Sequence, residues 1–194
     1  MTSEIKKRIL TSIVLLSLLV LMFFYTYVLI LSIMVIAIIV WIEFYALISK
    51  IFSKKNFSDK ILRFSFRAIS LIYLFSLVYL IIFSKLKSPE LQMITIYSIL
   101  VSIMSDIGGL VIGKTFKGKK LTKISPKKTI SGSIGSFIFA LFLIPFILNY
   151  LPNYSFLSLF IITLIISLTS QLGDLFISYL KRKAKVKDTS DLLP

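Results

Sequence analysis

From residue 9 to residue 42 the chain carries no charge. As one helix that run would be about 51 Å long, at a rise of ~1.5 Å per residue, against a hydrocarbon thickness near ~30 Å. One membrane crossing cannot absorb it, and a water-soluble core has no use for it. Further uncharged runs at 68–84 and 91–105, and an apolar stretch at 129–180 broken only by Asp174, carry the same message. Hydrophobic residues fill 57% of the 194 positions, and mean hydropathy is +0.96. The sequence predicts an all-α integral membrane protein, a single membrane-embedded domain over 1–194. The basic opening Glu4-Ile5-Lys6-Lys7-Arg8 resembles the start of a secretory signal. No small-residue cleavage site follows, and the apolar run outlasts an h-region, so a retained first span is expected.

Dividing 9–42 near Tyr25-Thr26-Tyr27 gives spans at roughly 9–25 and 28–49. With further spans near 64–84, 91–113, 130–150 and 155–180, the expectation is six transmembrane helices. Charge tests the division: under it, 21 of the 23 lysines and arginines fall on one side, leaving Lys85 and Lys87 on the other. The basic side is assigned to the cytoplasm, with both termini inside. The net charge of +15 then reads as topology plus attraction to membrane lipids with anionic headgroups, and to a polyphosphate substrate. No base-reading module accompanies the lysines, so nucleic acid is not an expected partner.

The chain has no cysteine and no histidine. Disulfides, thiol nucleophiles, zinc–cysteine sites, Ser-His-Asp triads and imidazole proton shuttles are all excluded. Any catalysis rests on carboxylates, lysines, arginines and hydroxyls, and hard oxygen ligands favour Mg²⁺.

Three of the eight acidic residues, Glu43, Asp106 and Asp174, sit in or at the ends of apolar spans. A carboxylate at the centre of a spanning helix costs about 2.5 to 3.5 kcal/mol on insertion scales, so each needs a partner or a wet cavity. Glu43, near Trp41, is as readily a structural residue, sitting at the interface or paired with a loop lysine, as a functional one. For the two aspartates the helical phase says more. Ser167, Gln171, Asp174, Ser178, Lys181, Arg182 and Lys185 recur at steps of three or four, one polar stripe down the last span. Ser98, Ser102, Ser105 with Asp106, Gly109 and Gly113 form a second stripe on the fourth span, and its two glycines allow another helix to approach closely. If the stripes face each other, Asp106 and Asp174 share a water-filled cleft roofed by the 114–128 loop. The alternative is ordinary serine-mediated helix packing. In the loop, Pro126 holds Ser125 extended and can begin a turn, so Lys127, Lys128 and Thr129 would lie at the start of the fifth span. Lysines, a hydroxyl and helix-start amides suit a phosphate.

These residues jointly resemble the phosphatidate cytidylyltransferase (CDP-diglyceride synthetase) family. Trp41-Ile42-Glu43 is similar to its Trp-Glu element. Asp106-x-Gly108, Gly113-Lys114-x-Phe116, Lys120-Leu121 and Ile124-Ser125-Pro126-Lys127-Lys128-Thr129-x-x-Gly132-x-x-Gly135 follow the order and spacing of its central block. Ser178-x-Leu180-Lys181-Arg182, four residues, then Lys187-Asp188-x-Ser190-x-x-Leu193-Pro194 matches the first part of its C-terminal signature. The resemblance implies that phosphatidate attacks the α-phosphorus of CTP, giving CDP-diacylglycerol and pyrophosphate with Mg²⁺. It leaves open whether K⁺ accompanies the magnesium. It implies that Asp174 is a metal ligand with Asp106 in or near the same cleft. Ser125, Lys127, Lys128, Thr129, Ser178, Lys181 and Arg182 would hold phosphates, with Lys187 and Asp188 orienting the site.

The sequence departs from the family pattern in several places. Ile107 replaces the usual Thr or Ser, Lys117 stands where Gly is usual, and Ser131 stands where Glu precedes Gly132. The family signature runs on, past the position of Pro194, with His-Gly-Gly and Asp-Arg-x-Asp elements that this sequence lacks. Three functions therefore remain open. The first is a cytidylyltransferase, active alone, as a homo-oligomer, or completed by a separate C-terminal fragment. The second is a truncated, inactive relative. The third is a small ion-coupled transporter using Asp106 and Asp174 as a relay.

Overall fold

The structure, a computed structural model, describes residues 3–54 and 56–186; the side chains of residues 3–9 and 12 are outside the description. It is helical throughout its regular elements: α1 Ser3–Phe24, α2 Thr26–Ile51, α3 Phe57–Lys87, α4 Pro89–Phe116, α5 Ile130–Leu141, α6 Ile144–Ile147 with a 3₁₀ turn at Leu148–Tyr150, and α7 Phe156–Lys183. Five of these stretches, α2, α3, α4, Ile130–Tyr150 and α7, are long and apolar enough to cross a membrane. With the outward apolar side chains they carry, they make this a multi-pass, all-α membrane protein. The apolar part of α1 is the shorter helical stretch Ile13–Phe24.

The run 9–42 breaks where its length demanded, at one extended residue, Tyr25, with φ −113° and ψ 110°. No glycine or proline is needed. Two bonds flank the break, Tyr25 N–H to the Leu21 carbonyl and Leu29 N–H to the Tyr25 carbonyl. Between α3 and α4 the sequence provides a stronger stop: Ser88 caps α4 by accepting from Leu91 N–H at 3.2 Å, and Pro89 sits in its first turn. The expected span 130–150 is interrupted at Phe142–Leu143. Pro145 explains this, because it has no N–H and its ring crowds the carbonyl four residues back.

The chain divides into two compact units: residues up to Lys85 with the stretch beginning at Lys183, and Leu86–Arg182. In the first, Arg67 of α3 lies over the Tyr45 ring at 3.5 Å and donates to Ser49 of α2 at 2.6 Å. Glu43 is half-buried on α2 in the same unit.

In the second unit, Tyr97, Val101, Ala140, Ile144, Leu151 and Leu159 form the buried apolar centre. Its α4 and α5 touch backbone to backbone. A Cβ placed on Gly132 would come within 2.8 Å of the Gly109 carbonyl oxygen, and one on Gly135 within 2.7 Å of the Gly108 carbonyl oxygen. Thus Gly109 and Gly113 do admit a neighbouring helix, and it is α5.

Helix α7 is tied to this pair by side chains along one face. Thr163 meets Tyr97, Ser167 meets Ser105 at 2.9 Å, Gln171 accepts from Ser133 at 2.5 Å, and Asp174 meets Lys128 at 2.5 Å. The steps of four, four and three keep these rungs in helical phase. Lipid is as apolar as leucine, so polar rungs of this kind, each worth about 0.6 kcal/mol on average, are a principal means of holding helices together in a membrane.

Candidate active site

The last two rungs open into a cleft of about 450 Å³. Asp106, Gly109 and Leu110 line it from α4, Gly132, Ser133 and Ser136 from α5, and Gln171, Asp174 and Ser178 from α7. The connection between α4 and α5 adds Leu121, Ser125, Lys127, Lys128 and Thr129. The two hydrophilic edges therefore do share a cavity, and both aspartates face it.

The connection is built for this. Leu121 N–H donates to the Lys128 carbonyl at 2.8 Å and Ile130 N–H to the Lys119 carbonyl at 2.9 Å, pinning residues 119–130 as a hairpin. At its tip, Lys128 N–H returns to the Ser125 carbonyl at 3.0 Å. This is a four-residue turn with Pro126 in the position its fixed φ suits. Thr129 is the N-cap of α5, accepting from Gly132 N–H at 3.1 Å. The helix thus starts at Ile130, and Lys127, Lys128 and Thr129 precede it. The Ile130 and Gly132 amides are already bonded, so anion binding here draws on the lysines and hydroxyls more than on helix-start N–H groups. Leaving α4, Lys117 adopts φ 49°, the left-handed region. This is the position where the related pattern has glycine.

Both sequence readings of the serine stripes hold, on different turns. Ser105 and Ser167 are fully buried against each other, a packing contact. Ser98 and Ser102 donate to the Ile94 and Ser98 carbonyls of their own helix and take no part in the cleft. Below them the stripes are wet: Asp106 and Asp174 are exposed to the cleft, the latter at 57% of its side chain.

Of the residues singled out by sequence, Asp106, Asp174, Ser125, Lys127, Lys128, Thr129 and Ser178 come together. Lys181 and Arg182 follow Ser178 on the last turn of α7 and do not line the cavity. Lys187 and Asp188 lie outside the described residues. Sequence reasoning missed Ser133 and Ser136, whose only signal is a four-residue step from Thr129 to Ser133 and a three-residue step on to Ser136, and gave Gln171 no role of its own. Gln171 joins the cleft to the buried serines: its Oε1 accepts from Ser133 and its Nε2 donates to Ser167 at 3.3 Å.

No group of three or more carboxylate ligands occurs among the described residues. Magnesium does not require one, since it is commonly held by one or two carboxylates together with water and substrate phosphates. Two carboxylates on one wet cleft beside two lysines fit that donor set.

Comparison with known proteins bears on this geometry. A phosphatidate cytidylyltransferase of Rickettsia conorii is 41% identical over 123 residues, covering 59% of this chain and 53% of the relative. The corresponding protein of Rickettsia bellii is 48% identical over 97 residues, 46% of this chain and 42% of the relative. That of Bacillus subtilis is 39% identical over 101 residues, 50% and 37%. The chain spans about half the length of the curated relatives it matches. No solved structure matches it. The model of the family described as "Cytidylyltransferase family" matches residues 2–194, which takes in every element of the cleft: the chain belongs to the cytidylyltransferase family.

Proposed function

We propose that this chain provides the CTP- and phosphatidate-binding machinery of a phosphatidate cytidylyltransferase in phospholipid synthesis. The observation that carries the reading is the shared cleft: Asp106 and Asp174 face Lys127 and Lys128 in one cavity, on a member of the cytidylyltransferase family. A phosphate oxygen of phosphatidate attacks the α-phosphorus of CTP, and the bond to the pyrophosphate leaving group breaks. The attacking oxygen is already ionised, so no general base is needed, in keeping with a chain without histidine. Catalysis then consists of positioning and charge neutralisation.

The residues divide that work. Lys127 and Lys128, on the pinned turn, neutralise phosphate charge, while Ser125, Thr129 and Ser178 offer hydroxyl donors. Asp174, with Asp106 nearby, would hold Mg²⁺, which supplies charge neutralisation to the nucleotide phosphates. Lys181 and Arg182, at the water-facing end of α7, attract the anionic substrates toward the cleft. We further assign six spans in a single membrane-embedded domain of the bacterial inner membrane, with both termini cytoplasmic. This places the 119–130 hairpin on the side where CTP is found.

Membranes containing the chain, given CTP, Mg²⁺ and phosphatidate, are expected to form CDP-diacylglycerol. Because the chain spans about half the length of its relatives, the assay is run with the chain alone and with a polypeptide carrying the His-Gly-Gly and Asp-Arg-x-Asp elements. Absence of product in both arms overturns the assignment.

A further inference from the structure

Lys128 and Asp174 are in contact at 2.5 Å in a site that would receive a divalent cation. A metal ion and an ammonium group compete for the same carboxylate oxygens. The main chain of Lys128 is held on both sides, by its N–H to Ser125 and by its carbonyl to Leu121. These bonds keep the turn in shape when the pair separates, and the flexible lysine stem can swing away from Asp174 without unmaking them. The charge of the cleft wall points the same way. Two aspartates and two lysines line it, so the wall is neutral as it stands, and a divalent cation makes it strongly positive unless phosphate enters with it.

We infer that Lys128 is the resident counter-cation of Asp174, displaced by the entering divalent cation and thereby released to bind phosphate oxygens of the substrate. Before the cation arrives, the lysine keeps a carboxylate at a membrane boundary paired and holds the last rung between the hairpin and α7. Afterwards its charge is repelled by the cation, and an anion between the two relieves that repulsion. Cation binding and phosphate binding are thereby coupled through one side chain. The inference rests on the proposal that Asp174 is a metal ligand.

The test uses the full chain in lipid nanodiscs, with Mn²⁺ as the probe and no nucleotide. Binding is followed by loss of the free-ion paramagnetic signal. Lys128→Met is expected to bind Mn²⁺ about two- to fivefold more tightly than the unaltered chain, the range for a partly exposed ion pair. Lys127→Met removes the same cleft charge without touching the pair and is expected to change binding less, while Asp174→Asn abolishes it. In the unaltered chain, Mg²⁺ is expected to raise reductive methylation of Lys128 relative to Lys127, read by mass spectrometry. Equal Mn²⁺ affinity in the unaltered chain and Lys128→Met, equal gains in the two lysine variants, or methylation of Lys128 indifferent to Mg²⁺ overturns the exchange alone. Absence of Mn²⁺ binding in every form overturns the metal role of Asp174 as well.

Discussion

The hydroxyls of Ser105 on α4 and Ser167 on α7 meet at 2.9 Å with no exposure, Ser105 adjoining Asp106 and Ser167 lying two turns before Asp174. This contact fixes the rotation of α7 about its axis, and the rotation determines where Asp174 points. Ser167→Ala removes the contact and also the acceptor for Gln171. A loss of about 0.6 to 1.7 kcal/mol is expected, the range for interhelical hydrogen bonds in membranes. Unfolding of the purified protein in mixed micelles measures it, and an unchanged midpoint would count against the contact.

Asp174→Asn keeps the shape of the side chain and removes its charge. If the proposed function is right, product formation falls by about two to three orders of magnitude, the cost of about 2.7 to 4 kcal/mol for one transition-state contact. Thermal stability changes little, because the lost ion pair is more than half exposed on the carboxylate side. A fall in activity matched by collapse of the fold would assign Asp174 a structural role instead.

The glycines make opposite predictions. At Gly135 an added methyl meets the Ile112 side chain and the Gly108 carbonyl, so Gly135→Ala is expected to destabilise by about 1 to 3 kcal/mol through overpacking. At Gly173 nothing lies within 4 Å of the new atom. There Gly173→Ala gains up to about 1 kcal/mol of helix propensity. Thermal melts of both variants in one detergent settle the contrast, and melts moving in the same direction refute it.

Lys117 ends α4 at φ 49°. A side chain pays about 1 to 2 kcal/mol for that region and glycine does not. Lys117→Gly should therefore raise the melting temperature, and Lys117→Val should lower it further than loss of the charge explains. The reverse order would show that the turn relaxes.

Much of this cleft was legible in the chain because polar residues are rare there. On α7, Gln171, Asp174 and Ser178 stand out from leucine and isoleucine at helical steps, so the face they share could be read directly. On α4 the same logic overreached. Ser98 and Ser102 keep step with Ser105, but a serine hydroxyl in a helix can bond to the carbonyl four residues back, and theirs do. Ser133 and Ser136 went unnoticed because serine beside glycine is the ordinary composition of close helix packing; only the partner helix distinguishes a packing serine from a lining one. The break at Tyr25 followed from length alone, whereas the interruption at Phe142–Leu143 had its signal in Pro145.

The backbone contact between α4 and α5 has a genetic consequence. Gly108 and Gly135 touch no substrate in the proposed reaction, yet a single methyl at either would push apart the two walls that carry Asp106 and Ser133. If the proposed function is right and growth depends on it, a screen for alleles that fail to support growth should return lesions at both positions. Their phenotype would mimic an active-site knockout while every reacting group remains intact.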